Sequence, residues 1–260
     1  MIIDYNIFLN IALLLFMFAT VFFVLLIIFK KEILNLLATS AFIVGLIANF
    51  LAFIYKWFAV DYIPLTNTFE TLILFSLLVG SLYIFVWRSD PDKIIACGCS
   101  LTIVLLIALS GYVDDTSKPL MPALQSNWLV IHVLFCITSY AGFAIAFVTA
   151  ILAIVMKETE SINYYKITYQ NVFFAYVFLV LGIITGAVWA EKAWGAFWSW
   201  DSKETWAFIT FLVYSIYLHG YKQEESWTRK GALIVITGFL FIMFTYFGVN
   251  YLLPGLHSYA

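Results

Sequence analysis

From Ile7 to Leu253 the chain alternates long apolar runs with short polar breaks. Runs of about 20 apolar residues, the length that crosses a ~30 Å hydrocarbon core, fall at eight places. They are Ile7–Phe29, Ile33–Tyr55, Phe69–Trp87, Ile94–Val113, Trp128–Met156, Val172–Ala190, Trp206–Tyr221 and Gly231–Leu253. Only helices and closed barrels satisfy their backbone in lipid, and barrel strands would alternate with period two over about ten residues. These runs do not alternate, so the pattern predicts an all-α, polytopic membrane helix bundle of about eight transmembrane helices. The seventh run is the shortest, which predicts an irregular or tilted entry near Trp206. The first is too long for the apolar region of a signal peptide and is followed by no small-residue cleavage pattern, so it reads as a retained span. No internal repeat, low-complexity tract or soluble domain breaks the pattern, and residues 1–260 read as a single membrane domain.

The breaks carry the orientation. Alternate loops hold Lys30 and Lys31; Arg88 and Lys93; Lys157 and Lys166; Lys222, Arg229 and Lys230. The remaining loops hold only Lys56, Lys118, Lys192 and Lys203. Nine cations against four place the first set on the cytoplasmic side. Both termini and the loop 189–206 then face the outer side. Composition agrees: 64% of residues are hydrophobic and 11% charged, with a mean hydropathy of +1.01, whereas a soluble domain is nearer half apolar and a quarter charged. A formal net charge of −2 and the lack of a strongly basic stretch argue against a nucleic-acid partner. Cys97, Cys99 and Cys136 lie inside apolar runs without CxxC spacing, so they read as small packing side chains rather than redox or metal ligands.

One break departs from ordinary membrane borders. "WGAFWSWDSKETW", residues 194–206, sets Trp194, Trp198, Trp200 and Trp206 beside Asp201, Lys203 and Glu204. At the same outer level the topology places two histidines: His132, which begins the fifth run, and His257, which follows the eighth. Two imidazoles flanking an aromatic loop suit a flat, iron-centred ligand, because neutral imidazole is a common axial ligand of haem. Indole faces would cover the porphyrin with few rotatable bonds. Zinc would want more Cys, His or carboxylate donors. Asp201 and Glu204 have the spacing of a helix capping box, as do Asn67 and Glu70; a helix start with Lys203 could also receive haem propionates. His219 lies thirteen residues beyond Trp206, about 20 Å down a helix running inward. An ionisable group at that depth is a functional candidate by default.

These residues resemble a known family. The loop is similar to the WWD signature of haem-handling membrane proteins, and its KETW ending looks like the CcsA/ResC branch of system II cytochrome c maturation. "LQSNWLVIHV" around His132, "YSIYLHGY" around His219, "GVNYLLPGLHSYA" around His257 and "PLTNTFETLILF" from Pro64 resemble the same branch. The likeness covers residues 64–260. It implies that His132 and His257 ligate haem iron at the outer face, with Trp194, Trp198, Trp200 and Asp201 as a platform. It implies that His219 binds haem in transit, opposite a ligand from a CcsB/ResB-like partner. It further implies that haem b is the transported ligand, that apocytochrome c is the recipient, and that the chain works within a cytochrome c synthase. The host membrane would be a bacterial cytoplasmic membrane, with a thylakoid as the alternative.

Two other classes fit less well. A transporter would place carboxylates within its spans along an ion path, and these spans lack them. A b-type electron-transfer subunit would set two histidines at one depth on facing helices, whereas His219 stands alone at its level.

Overall fold

Where each helix begins and ends follows from local chemistry. The Asp4 carboxylate accepts the Asn6 N–H at 2.9 Å, and Asp92 accepts those of Ile94 and Ile95 at 2.8 and 3.2 Å; each satisfies donors that a helix start leaves orphaned. Lys30 and Asp61 end their helices in the left-handed region, with φ of 53° and 60°. The computed structural model describes residues 4–86, 92–115, 119–221 and 227–253, and within them every side chain except those of Val86, Glu158, Thr159, Glu160, Ile162, Trp227, Thr228 and Tyr251. Among the described residues there are eight long helices and no strand. They are α1 (Tyr5–Phe29), α2 (Glu32–Val60), α3 (Thr68–Val86), α4 (Lys93–Ser110), α5 (Asn127–Val155), α6 (Glu158–Trp194), α7 (Ser202–Tyr221) and α8 (Trp227–Met243). A π turn, Phe244–Gly248, and a short helical piece, Val249–Leu252, continue α8.

Seven of these helices, all but α7, are long and apolar enough to cross a membrane. At 20 residues α7 has the length, but Ser202, Lys203, Glu204 and Thr205 in its first turn and His219 in its last dilute its apolarity. It is regular from Ser202 onward; the irregularity expected near Trp206 lies just before it. The largest departure from the apolar runs is α6, which is 37 residues long and starts well ahead of Val172. Residues 158–171 are too polar to register as a span, yet they contain no glycine or proline and continue the helix.

The chain packs as two compact units, Met1–Lys118 and Pro119–Ala260. In the first, α1 and α3 each pack against both α2 and α4. The buried side of α1 is Leu9, Ala12, Phe16, Ala19, Phe23 and Leu26, steps of three and four residues that form one narrow seam. Leu14, Phe18 and Ile28 point outward, which lipid tolerates. Small residues on α2 (Ala38, Gly45, Ala48, Ala52) let helices approach closely, and hydroxyl and amide groups tie them together. Asn49 Nδ2 donates to Ser76 Oγ at 2.8 Å, and Thr20 Oγ1 to Ser100 Oγ at 2.8 Å. At the end where α1 begins and α2 stops, Lys56 is buried. Its Nζ donates to Tyr5 Oη at 3.1 Å and to the Asp115 carbonyl at 2.9 Å. Nearby, Asn67 Oδ1 accepts the Glu70 N–H at 2.8 Å, while Glu70 accepts from Thr66 N at 2.8 Å. The expected cap thus forms, with Glu70 reaching one residue further back.

In the second unit α5 packs against α6 and α8, and α7 against the same two helices. The buried face of α5 is rich in small residues, including Ala141, Gly142, Ala146 and Ala150. Ser139 Oγ donates to the Ala175 carbonyl of α6 at 2.8 Å. Phe143 stacks on Tyr214 of α7 with centroids 3.8 Å apart. Tyr176 of α6 and Ser215 of α7 share a hydrogen bond of 2.7 Å. These tight contacts fix the register of α5 against α6, on which the candidate site depends.

Candidate functional site

His132 lies near the start of α5, whose first turn is capped by Ser126 Oγ accepting from Trp128 N at 3.3 Å. The half-buried imidazole packs onto α6. Its Nδ1 stands 2.8 Å from the Gly182 carbonyl oxygen. A carbonyl can only accept, so Nδ1 carries the proton and Nε2 bears the lone pair. Trp189, almost wholly buried, lies parallel to the imidazole at a centroid distance of 6.0 Å and an interplanar angle of 12°. Its indole N–H donates to the Ala123 carbonyl at 2.9 Å, fixing the plane of the ring. Trp194 meets Trp189 edge-on at 4.8 Å. Cys136, one turn after His132, sets its Sγ 3.6 Å from Nδ1.

The loop that follows is shaped by one glycine and one carboxylate. Gly195 ends α6 with φ of 77°, a conformation that costs glycine least, and its N–H returns to the Glu191 carbonyl at 2.9 Å. Glu204, buried in the first turn of α7, accepts through a single oxygen from Ser199 N at 2.8 Å, Ser199 Oγ at 3.2 Å and Asp201 N at 3.1 Å. The bond to Asp201 N is the returning half of the expected capping box. The amides of Ser199 and Asp201 flank Trp200, which is held at φ of 58°, unusual for a bulky residue. Trp200 is 66% exposed, and it meets Trp198 edge-on at 5.7 Å and Phe208 at 6.2 Å. Lys203 is half-buried. Burial pushes its ammonium down to about 8, against the opposing pull of Asp201.

Of the residues singled out from sequence, His132 and Trp194 therefore gather around Trp189, where α5 begins and α6 ends, and Lys203 lies in the first turn of α7. Trp198, half-buried, and Trp200, exposed, form an edge-on cluster with Phe208. Trp206 serves packing, its ring 4.4 Å from that of Phe244. His219 is exposed in the last turn of α7, about 24 Å along that helix from Lys203. His257 lies outside the described residues. Trp189, Gly182, Gly186 and Cys136 are the participants that motif reading passed over. The small-xxx-small spacing of Gly182 and Gly186 is visible in the chain, but nothing in one dimension names the side chain seated there. Cys136 is half-buried and Cys99 fully buried; the first is more than filler, because it touches His132.

A protein-family model described as "Cytochrome C assembly protein" matches residues 6–257. A cytochrome c biogenesis protein CcsA of Trachelium caeruleum is 34% identical over 266 residues, covering 83% of this chain and 84% of that protein. The protein of the same name from Guillardia theta is 36% identical over 241 residues, covering 79% of each. That from Chlamydomonas reinhardtii is 36% identical over 224 residues, covering 79% of this chain and 63% of its own. Among solved structures, one titled "Cytochrome c Heme Lyase CcmF" superposes with a TM-score of 0.74 at 16% identity, over 94% of this chain and 46% of that one. The present chain spans about half the length of that structure, and at this identity the likeness is one of fold.

Proposed function

We propose, on the ground that the chain belongs to the cytochrome c assembly protein family and so works in cytochrome c biogenesis, that it carries haem b across the membrane and presents it at the outer face for attachment to the CxxCH motif of apocytochrome c. The observation that supports this most is the seat of His132: an imidazole whose proton is held on the far nitrogen, beside paired indoles, with a lysine in the first turn of α7. A planar, dianionic, iron-centred substrate needs those three things together: an axial nitrogen, flat apolar cover and a cation for its propionates.

In this reading His132 and His257 supply the two axial nitrogens, Trp194, Trp198 and Trp200 cover the macrocycle, and Asp201 with Lys203 orders its polar edge. Filling both axial positions discourages side reactions with oxygen. The cysteine thiols of the recipient then add across the haem vinyl groups, and its own histidine displaces one of the two ligands. Catalysis is chiefly proximity and orientation, since the reacting thiols belong to apocytochrome c. His219 receives haem on the cytoplasmic half of α7. Its exposure on the helix surface fits a second ligand from a CcsB/ResB-like partner, with which the chain forms the cytochrome c synthase. The topology adopted has eight spans, α7 among them, with both termini and the WWD loop outside. The membrane is taken as a bacterial cytoplasmic membrane, a thylakoid giving the same arrangement.

The test is maturation of a reporter cytochrome c by His132→Ala and His257→Ala variants, with and without imidazole. Each change abolishes maturation, and added imidazole restores part of it by refilling the axial position. Full maturation by the unsupplemented double variant would sink the assignment. Trp198→Ala leaves the chain inserted but weakens its hold on haem; unchanged haem content would return that ring to a membrane-border role.

A further inference from the structure

The α5–α6 interface comes closest where α6 has glycines. A Cβ built on Gly186 would lie 2.6 Å from both Nδ1 and Cε1 of His132. One built on Gly182 would lie 2.7 Å from Cys136 Sγ. Both distances are far inside van der Waals contact, and neither clash could be relieved without moving the ring or the thiol that carries it. Gly182 and Gly186 are four residues apart and lie on one face of α6. The notch they form admits the imidazole edge and exposes the Gly182 carbonyl to Nδ1 at 2.8 Å. A side chain at 186 would stand where the ring now sits.

The geometry points to the Gly182–Gly186 notch as the element that positions His132, holding its Nδ1–H on a backbone carbonyl so that Nε2 is the atom offered to the haem iron. The inference rests on the reading of His132 as a haem ligand and adds how that ligand is aimed. Outer partners of a ligating histidine fix its tautomer and ring plane, and disturbing them typically weakens binding by ~10–100-fold. Here the partner is main chain, so it survives every substitution except one that fills the notch. Trp189, parallel to the ring and pinned by its own hydrogen bond, limits rotation on the other side. Cys136 Sγ, at 3.6 Å from Nδ1, is a weak alternative to this bond.

The full chain, purified in detergent and carrying His219→Ala so that only the outer site is read, is titrated with reduced haem b and followed by absorbance. Gly186→Ala weakens binding by ~10–100-fold and converts the sharp low-spin bands to a high-spin spectrum. Gly142→Ala is the control. It overpacks the same interface further along, its Cβ falling 2.9 Å from that of Ala175, and it lowers thermal stability without altering the haem spectrum. In a His132→Ala background Gly186→Ala adds nothing. A Gly186→Ala protein that binds haem as the parent does, while His132→Ala does not, overturns the notch and leaves the ligand standing. A His132→Ala protein with the parent's spectrum overturns both. Nitrogen-15 NMR of the haem-free chain is independent of any variant's folding: it finds His132 protonated at Nδ1, and the opposite tautomer overturns the inference.

Discussion

Glu204 does more at the residue scale than cap a helix. One carboxylate oxygen gathers the amides on either side of Trp200 and so holds a tryptophan in a region that costs an L-residue roughly 1–2 kcal/mol. Hydrogen bonds to a charged group are worth about 1.5–3 kcal/mol each, enough to offset that strain. Glu204→Ala is therefore expected to lower stability by about 2–3 kcal/mol and to release the Trp200 ring from its place by Trp198. Glu204→Gln, which keeps an acceptor oxygen, falls between. Trp200→Gly separates strain from function: it removes roughly 1–2 kcal/mol of left-handed strain against an entropy cost of roughly 0.5–1 kcal/mol, so stability holds level or rises slightly while haem retention is lost. Thermal unfolding in detergent together with haem absorbance reads both quantities. A Trp200→Gly protein that is less stable than its parent would show that the left-handed turn is not strained.

At the scale of the element, the start of α7 combines a capped helix terminus with a lysine whose charge is disfavoured by burial. The Lys203 ammonium is pushed down from 10.5 to about 8, and the sign of the consequence follows. Between about 8 and 10.5 the unfolded chain holds a proton that the folded chain has lost, so this group makes stability rise with pH across that window and withholds it below. On the proposed reading haem retention is expected to run the other way, because a neutral amine would no longer balance a propionate. The midpoint of thermal unfolding is expected to climb, and haem affinity to fall, as pH passes from 8 towards 10.5. Lys203→Met removes both trends; Lys203→Arg keeps affinity to higher pH. Parallel pH series of unfolding and haem titration check this, and an affinity that is flat with pH in the parent would remove Lys203 from the site. The same element shows why α7 alone among the long helices falls short of a span by hydropathy: the polar first turn dilutes the helix that carries it.

At the scale of the molecule, His219 and His132 belong to opposite ends of their unit, the one exposed in the last turn of α7 and the other near the start of α5. On the proposed haem route, the partner is expected at the His219 end. Co-expression with a CcsB/ResB-like protein is expected to raise haem per chain, and His219→Ala to abolish that rise while His132→Ala leaves a partner-dependent fraction. Haem quantified per purified complex decides the matter. A rise that survives His219→Ala would place the shared ligand elsewhere.

The sequence by itself determined the membrane class, the all-helical fold, the approximate place of each long helix and the tryptophan-rich loop at residues 194–206. Those are local properties: hydropathy over about 20 residues, capping within four, and a contiguous motif. It also pointed to His132, but not to how that ring is held. That was decided by the packing of α5 on α6, which brings together groups 50 positions apart in the chain, the His132 imidazole and the Gly182 carbonyl. The same packing makes Trp189 a neighbour of His132. The register between two apolar helices depends on how small and large side chains interlock across an interface, and no one-dimensional pattern carries it. The left-handed turn at Trp200 has the same origin, since no local preference favours it and a buried Glu204 imposes it.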